Sequence, residues 1–111
     1  MRTNFRKLLL CAAALAVGAM LTSSAYAQTA AELYKTKCAS CHGADGKGDT
    51  AIGKKLGVKA FSDPEIAKNP DQVWSDITKT GKGKMPAYAG KLTDDQIKDL
   101  VKFMRSLAKS K

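Results

Sequence analysis

Cys38 and Cys41 are separated by two residues, and His42 follows the second thiol directly. Two thiols and an imidazole in the order C-x-x-C-H form the attachment pattern of a c-type haem. The spacing has a chemical reason. Each thiol can add across one haem vinyl group to give a thioether. The residue after the second thiol then lies beneath the iron, where its imidazole can fill an axial position. Other uses of these thiols fit less well. A thioredoxin-like pair needs a βαβ context, and no strand pattern surrounds this one. A structural zinc needs four ligands, and the chain has a single His and no second pair of Cys residues.

A second axial ligand has to come from methionine or lysine, because no other His exists. Met1 and Met20 fall in the N-terminal segment, residues 1–27. Met104 repeats in register with Ile97, Leu100 and Val101, which makes it a packing residue. Met85 sits instead in the loop Gly81-Lys82-Gly83-Lys84-Met85-Pro86-Ala87-Tyr88. Gly81 and Gly83 allow the backbone to turn there, and Pro86 stiffens the strap after the sulfur. Met85 is therefore the candidate sixth ligand. The alternative is an open haem, with Met85 only packing beside it.

The elements that must position these groups are helical. Thr29-Ala30-Ala31-Glu32 has capping-box spacing and opens a short helix through about Lys37, which delivers the chain to Cys38. Residues 43–58 carry five glycines and read as a loop around the prosthetic group, with Ile52, Leu56, Val58 and Phe61 lining it. Gly46-Lys47-Gly48-Asp49-Thr50-Ala51 matches a nucleotide fingerprint in letters only, since no strand precedes it. Asp45 and Asp49 are interrupted by Lys47, which breaks an EF-hand pattern. Asp63-Pro64-Glu65 starts a brief turn over residues 65–68, and Asn69-Pro70-Asp71 starts a helix over 70–80 ended by Gly81. Thr93-Asp94-Asp95-Gln96 is a second capping box. It opens the longest helix, with Ile97, Leu100, Val101, Met104, Leu107 and Ala108 on one face. Lys98, Lys102, Arg105 and Lys109 form the opposite stripe, read as a solvated face. The fold class is all-α.

The chain of 111 residues allows one domain. Residues 1–27 read as a cleaved secretory signal peptide. Arg2, Arg6 and Lys7 make the basic start, residues 8–21 the apolar run, and Ala25-Tyr26-Ala27 the cleavage site. The apolar run falls short of the roughly 20 residues that span a membrane. Residues 28–111 form the remaining domain. Loss of Arg2, Arg6 and Lys7 lowers the formal net charge from +9 to +6. Cys11 also leaves, so two thiols remain in an oxidising compartment, where they would pair unless used otherwise. The apolar core is thin, and small domains of this kind carry a staple. A covalent haem would be one.

These features together resemble a class I c-type cytochrome, a small monohaem carrier with His and Met ligands. The matching residues are Cys38, Cys41 and His42, the Lys84-Met85-Pro86-Ala87-Tyr88 loop, and Leu92-Thr93-Asp94-Asp95-Gln96-Ile97. The resemblance covers residues 28–111. It implies a cytochrome c fold of three to four short helices wrapped around one covalently bound haem c, with the first and last helices crossing. It also implies that Tyr34 meets Leu100 and Phe103 at that crossing. Two departures stand out. Ala30 replaces a glycine common in the family, which implies a slightly wider crossing. No Pro follows His42 before Pro64, so the residue that accepts the His42 ring N–H is unassigned.

The implied function is one-electron transfer in a respiratory or related chain, by a protein that is not itself an enzyme. The cofactor is haem c with its iron, held by Cys38, Cys41, His42 and Met85, the last two as metal ligands. Tyr88 and Trp74 are candidate donors to the haem propionates. Lys47, Lys54, Lys55, Lys59, Lys79, Lys82 and Lys84 are placed around the haem edge. They would steer redox partner proteins with acidic docking surfaces. The expected setting is the periplasm, as a monomer with no membrane insertion after signal cleavage and no nucleic-acid partner. Two alternatives stay open. One is a tethered subunit of a larger oxidase or dehydrogenase. The other is a haem peroxidase or gas-binding protein with an open axial site.

Overall fold

The computed structural model describes residues 28–110. The expected signal peptide lies outside the described residues. Within them run six helices: α1 (Ala30–Lys37), α2 (Ala39–His42), α3 (Ala51–Leu56), α4 (Pro64–Ala67), α5 (Asp71–Thr80) and α6 (Asp94–Lys109). The described residues contain no strand, only isolated bridges between Lys82 and Met85 and between Ala89 and Leu92. The all-α expectation holds.

The two capping boxes form where the sequence places them. Glu32 N–H donates to Thr29 Oγ1 and Thr29 N–H donates to Glu32 Oε2, both at 3.2 Å. At α6, Gln96 N–H donates to Thr93 Oγ1 at 3.1 Å and Thr93 N–H to Gln96 Oε1 at 2.9 Å. Each box satisfies backbone donors that a helix start otherwise leaves open. Helices α1 and α6 then pack together. Leu33 and Tyr34 from α1 meet Ile97, Leu100, Val101 and Met104 from α6, and Phe61, Trp74 and Leu92 complete the core. The rings of Tyr34 and Phe103 lie 5.3 Å apart between centroids. This is the aromatic meeting implied by the resemblance.

Two elements differ from the sequence reading. Residues 51–56, read as loop, form α3. Thr50 Oγ1 caps it by accepting from Gly53 N–H at 2.8 Å, and Gly57 ends it with φ 69°. A glycine in mid-helix costs helix propensity, which hides the element from local pattern. The cost is offset by packing, because a Cβ at Gly53 would run into the carbonyl of Cys41 and lie 2.5 Å from that of Gly48. Helix α3 therefore seats its backbone directly on α2. Helix α2 itself, which carries Cys41 and starts from Cys38, is not expected as a separate turn.

The Arg105 side chain is a further difference. Lys98, Lys102 and Lys109 are exposed as the stripe predicts, but Arg105 folds back over α5. Its Nε donates to Asp71 Oδ1 at 2.8 Å and its Nη1 to Ala67 O at 2.9 Å, and Nη2 also donates to Asn69 O. Its guanidinium carbon lies 4.0 Å from the Trp74 ring centroid. Position 105 borders the apolar stripe beside Met104, and a planar guanidinium can both stack and fork where an ammonium cannot.

Candidate haem-binding site

Cys38 closes α1 and opens α2. Its N–H donates to Tyr34 O at 2.9 Å, and its own carbonyl accepts from His42 N–H at 3.0 Å. One helical turn thus sets Cys38, Cys41 and His42 at relative positions i, i+3 and i+4, which share a helix face. Both thiols are free and half-buried. Burial is the main cause that pushes the Cys38 thiol up to about 11; the nearby Cys41 adds to it and Lys37 opposes it. Burial also lowers the His42 pKa. Burial thus favours the neutral ring, whose nitrogen lone pair a metal can use.

The turn after His42 is tied from inside the core. The Tyr34 hydroxyl donates to Gly43 O at 2.6 Å, a buried bond, and Gly46 N–H donates to the same carbonyl at 3.1 Å. Sequence reasoning assigned Tyr34 to the helix crossing and missed this bond, which has no local signal. Gly46 and Gly48 allow close chain approach here. A Cβ at Gly46 would lie 2.6 Å from Phe61 Cδ2, and one at Gly48 would lie 2.5 Å from Val58 O.

Met85 arrives from the other side of the sequence. Its loop closes through paired bonds, Lys82 N–H to Met85 O at 3.2 Å and Met85 N–H to Lys82 O at 3.0 Å. Gly81 adopts φ 75°, and a Cβ there would meet Met85 O at 2.6 Å, so glycine is required at that position. Tyr88 anchors the far end of the loop. Its N–H donates to Thr78 O at 3.0 Å, and its hydroxyl donates to Lys37 O at 3.0 Å. Burial raises the Tyr88 pKa, with Cys38 and Cys41 adding to the rise.

These pieces enclose a cavity of about 710 Å³ lined by His42, Phe61, Trp74, Ile77, Met85 and Met104 among others. A second cavity of about 330 Å³ is lined by Cys38, Cys41, His42, Met85, Pro86 and Tyr88 among others. His42, Leu56, Val58, Lys82, Lys84 and Met85 line both. The structure therefore brings Cys38, Cys41, His42 and Met85 to one place. Leu56, Val58 and Phe61 line the space as expected, whereas Ile52 does not and is 49% exposed. Met104 reaches the larger cavity from within the core, in keeping with a packing role. The candidate propionate donors are both engaged by backbone: Trp74 Nε1–H donates to Ile66 O at 3.2 Å and Tyr88 to Lys37 O.

Lysines rim this space. Lys55, Lys59, Lys82 and Lys84 line the larger cavity, and Lys37, missed in the sequence, joins Lys82 and Lys84 at the smaller one. Among the described residues no carboxylate lines either. Three of the expected lysines line neither cavity: Lys47, Lys54, which pairs with Asp49 at 3.0 Å, and Lys79, which pairs with Asp94 at 3.2 Å.

The residues fit a haem. The larger cavity falls in the size range of cofactor pockets, about 300–1,000 Å³. It is mainly apolar, unpaired thiols stand at the adjoining cavity, and a neutral imidazole and a thioether project from separate chain segments. Comparison with known proteins agrees. Residues 25–104 match the family described as cytochrome c oxidase, cbb3-type, subunit III. The chain is 32% identical over 97 residues to cytochrome c6 of Thermostichus vulcanus, covering 85% of this chain and 84% of that one. It is 37% identical over 82 residues to the cbb3-type cytochrome c oxidase subunit FixP of Rhizobium meliloti (strain 1021), covering 72% of this chain but 27% of that subunit. The chain spans less than a third of such oxidase subunits, between 27% and 31% of those it matches. The solved structure of the KustC0563 c-type cytochrome superposes with a TM-score of 0.66 at 33% identity, covering 72% of this chain and 98% of that one. The chain belongs to the c-type cytochromes. Its cofactor is covalently bound haem c with its iron. Among the described residues no helix is long and apolar enough to cross a membrane.

Proposed function

We propose that this chain is a one-electron carrier, exported to the periplasm, that holds haem c through Cys38 and Cys41 and ligates its iron through His42 and Met85. The observation that carries the reading is that all four side chains line the same cavity. When bound, haem c supplies a one-electron Fe(III)/Fe(II) couple. Everything else is done by the chain. Cys38 and Cys41 fix the group by thioether bonds. His42, neutral through burial, offers a ring nitrogen. Met85 offers a soft thioether that favours the reduced state and raises the potential relative to an anionic ligand. Gly81, the Lys82–Met85 bridge and Tyr88 hold the Met85 strap in place, which limits motion on electron transfer. His42 and Met85 together would hold the iron and keep small molecules from it, so that the protein would carry electrons without acting as an enzyme.

The lysine rim supports a docking role. Lys37, Lys55, Lys59, Lys82 and Lys84 border the cavities without a carboxylate among them. Such a one-sign rim attracts a partner with an acidic surface and orients it toward the cofactor edge. The protein acts as a monomer in this reading.

A second reading is a cytochrome unit within a larger oxidase complex. It is favoured by the family match and by the FixP and CcoP subunits that this chain resembles over part of their length. Isolation of the chain free of other subunits supports the carrier; constant co-purification with an oxidase supports the unit.

Replacement of Met85 tests the ligand assignment. The Met85→Ala holoprotein should lose the methionine–iron charge-transfer band and bind carbon monoxide when reduced, whereas the wild type should not. Retention of that band in Met85→Ala would remove Met85 from the site.

A further inference from the structure

His42 is held in an unusual way. Metal-bound imidazoles as a rule donate their second ring N–H to a carbonyl or carboxylate, which fixes the ring's rotation and raises its basicity. In this chain Nδ1 of His42 is buried and has no hydrogen-bond partner among the described residues. The face of the ring is covered by Phe61, with centroids 4.9 Å apart and planes 20° from parallel.

Phe61 is itself fixed from several directions. It is 6% exposed. Tyr34 meets it edge-on at 6.2 Å and Trp74 at 5.3 Å between centroids. Its N–H donates to Gly46 O at 2.9 Å, and its ring lies over Gly46, where no Cβ could stand. A ring so enclosed cannot turn without disturbing three neighbours. It presents His42 with a rigid, flat wall.

We infer that Phe61 is the positioning residue of His42: a clamped aromatic face, in place of a hydrogen bond to Nδ1, sets the rotation of the imidazole about its Cβ–Cγ bond. The inference rests on the assignment of His42 as an iron ligand. Stacking holds orientation without drawing on the Nδ1 proton, so the imidazole stays a weaker donor than a hydrogen-bonded one.

The single His makes the test direct, since a histidine labelled with ¹⁵N reports one ring. Holoprotein is measured as wild type, Phe61→Leu and Phe61→Tyr. In the oxidised state the order and spread of the haem methyl proton shifts report the plane of the axial imidazole. In the reduced state the Nδ1 proton reports its exchange rate and any coupling across a hydrogen bond. The wild type should show no coupling from Nδ1 to a backbone carbonyl. Phe61→Leu should reorder the methyl shifts and speed Nδ1 proton exchange by about two- to tenfold, the size of one aromatic pair. Phe61→Tyr, which keeps the ring face, should retain the wild-type pattern. A coupling from Nδ1 to a carbonyl in the wild type overturns the inference without need of any variant. An unchanged methyl pattern in Phe61→Leu overturns it also. A wild-type Nε2 resonance free of any iron effect would instead overturn the ligand assignment beneath it.

Discussion

Arg105 is the side chain whose removal the structure prices most completely. Replacing it with Ala deletes four contacts at once. The stack on Trp74, with a guanidinium whose side chain is 23% exposed, contributes about 0.5–1 kcal/mol. The ion pair with Asp71 contributes about 0.2–1 kcal/mol, because that carboxylate is 68% exposed and screened by water and salt. Bonds to Ala67 O and Asn69 O contribute about 0.5–1.5 kcal/mol each. The expected loss for Arg105→Ala is therefore about 2–5 kcal/mol, a large share of the stability of a small domain. Equilibrium urea unfolding of the holoprotein measures it. Two companion variants divide the total. Asp71→Asn removes only the screened pair and should cost less than about 1 kcal/mol. Arg105→Lys keeps the charge but loses the fork and the planar stack, so it should fall much nearer to Ala than to the wild type. If Arg105→Ala unfolds within about 0.5 kcal/mol of the wild type, as an ordinary surface change does, the clamp is not a clamp. If Asp71→Asn costs as much as Arg105→Ala, the ion pair carries the effect and the carbonyl bonds and stack do not.

Other expectations follow from the same geometry. Tyr34→Phe should destabilise by about 1 kcal/mol, because the Gly43 carbonyl keeps its bond from Gly46 N–H and is not orphaned; thermal unfolding should show a drop of about 4–8 °C, and no drop would deny the bond any role. Gly53→Ala should destabilise by about 1–3 kcal/mol or more through overpacking against the Cys41 and Gly48 carbonyls; a haem yield and urea midpoint equal to the wild type would show that α3 does not rest on α2. Exchanging Lys82 and Lys84 for Glu should slow electron transfer to an acidic partner and flatten its dependence on salt, read by stopped flow; wild-type rates insensitive to ionic strength would remove the steering role.

What was legible in the sequence was local. Cys38, Cys41 and His42 lie within one turn, and their spacing alone states their chemistry. Thr29 with Glu32, and Thr93 with Gln96, are complete caps within four residues, so α1 and α6 begin where expected. Gly81 and Met85 were readable for the same reason, since a tight loop declares itself by its glycines. The rest depends on contacts between distant segments. Helix α3 was hidden because Gly53 is a poor helix residue whose value lies in its approach to Cys41. Arg105 looked like its stripe of lysines, and only the position of Trp74 and of the carbonyls before α5 sets it apart. The Tyr34–Gly43 bond joins a core helix to the turn after His42, and nothing in either stretch announces it. The lysine rim was half legible: Lys55, Lys59, Lys82 and Lys84 border the cavities, but the pairing of Lys54 with Asp49 and Lys79 with Asp94 is a matter of tertiary placement.

The function proposed here requires a haem c fixed at Cys38 and Cys41, with its iron held by His42 and Met85. An optical spectrum of the purified protein in both redox states tests it most directly. The reduced protein should show the sharp split bands of a six-coordinate c-type haem, retained after acid extraction because the group is covalently bound. The oxidised protein should show a weak methionine–iron charge-transfer band. A haem that extracts into acid solvent, or an oxidised protein with a high-spin spectrum and no such band, would contradict it.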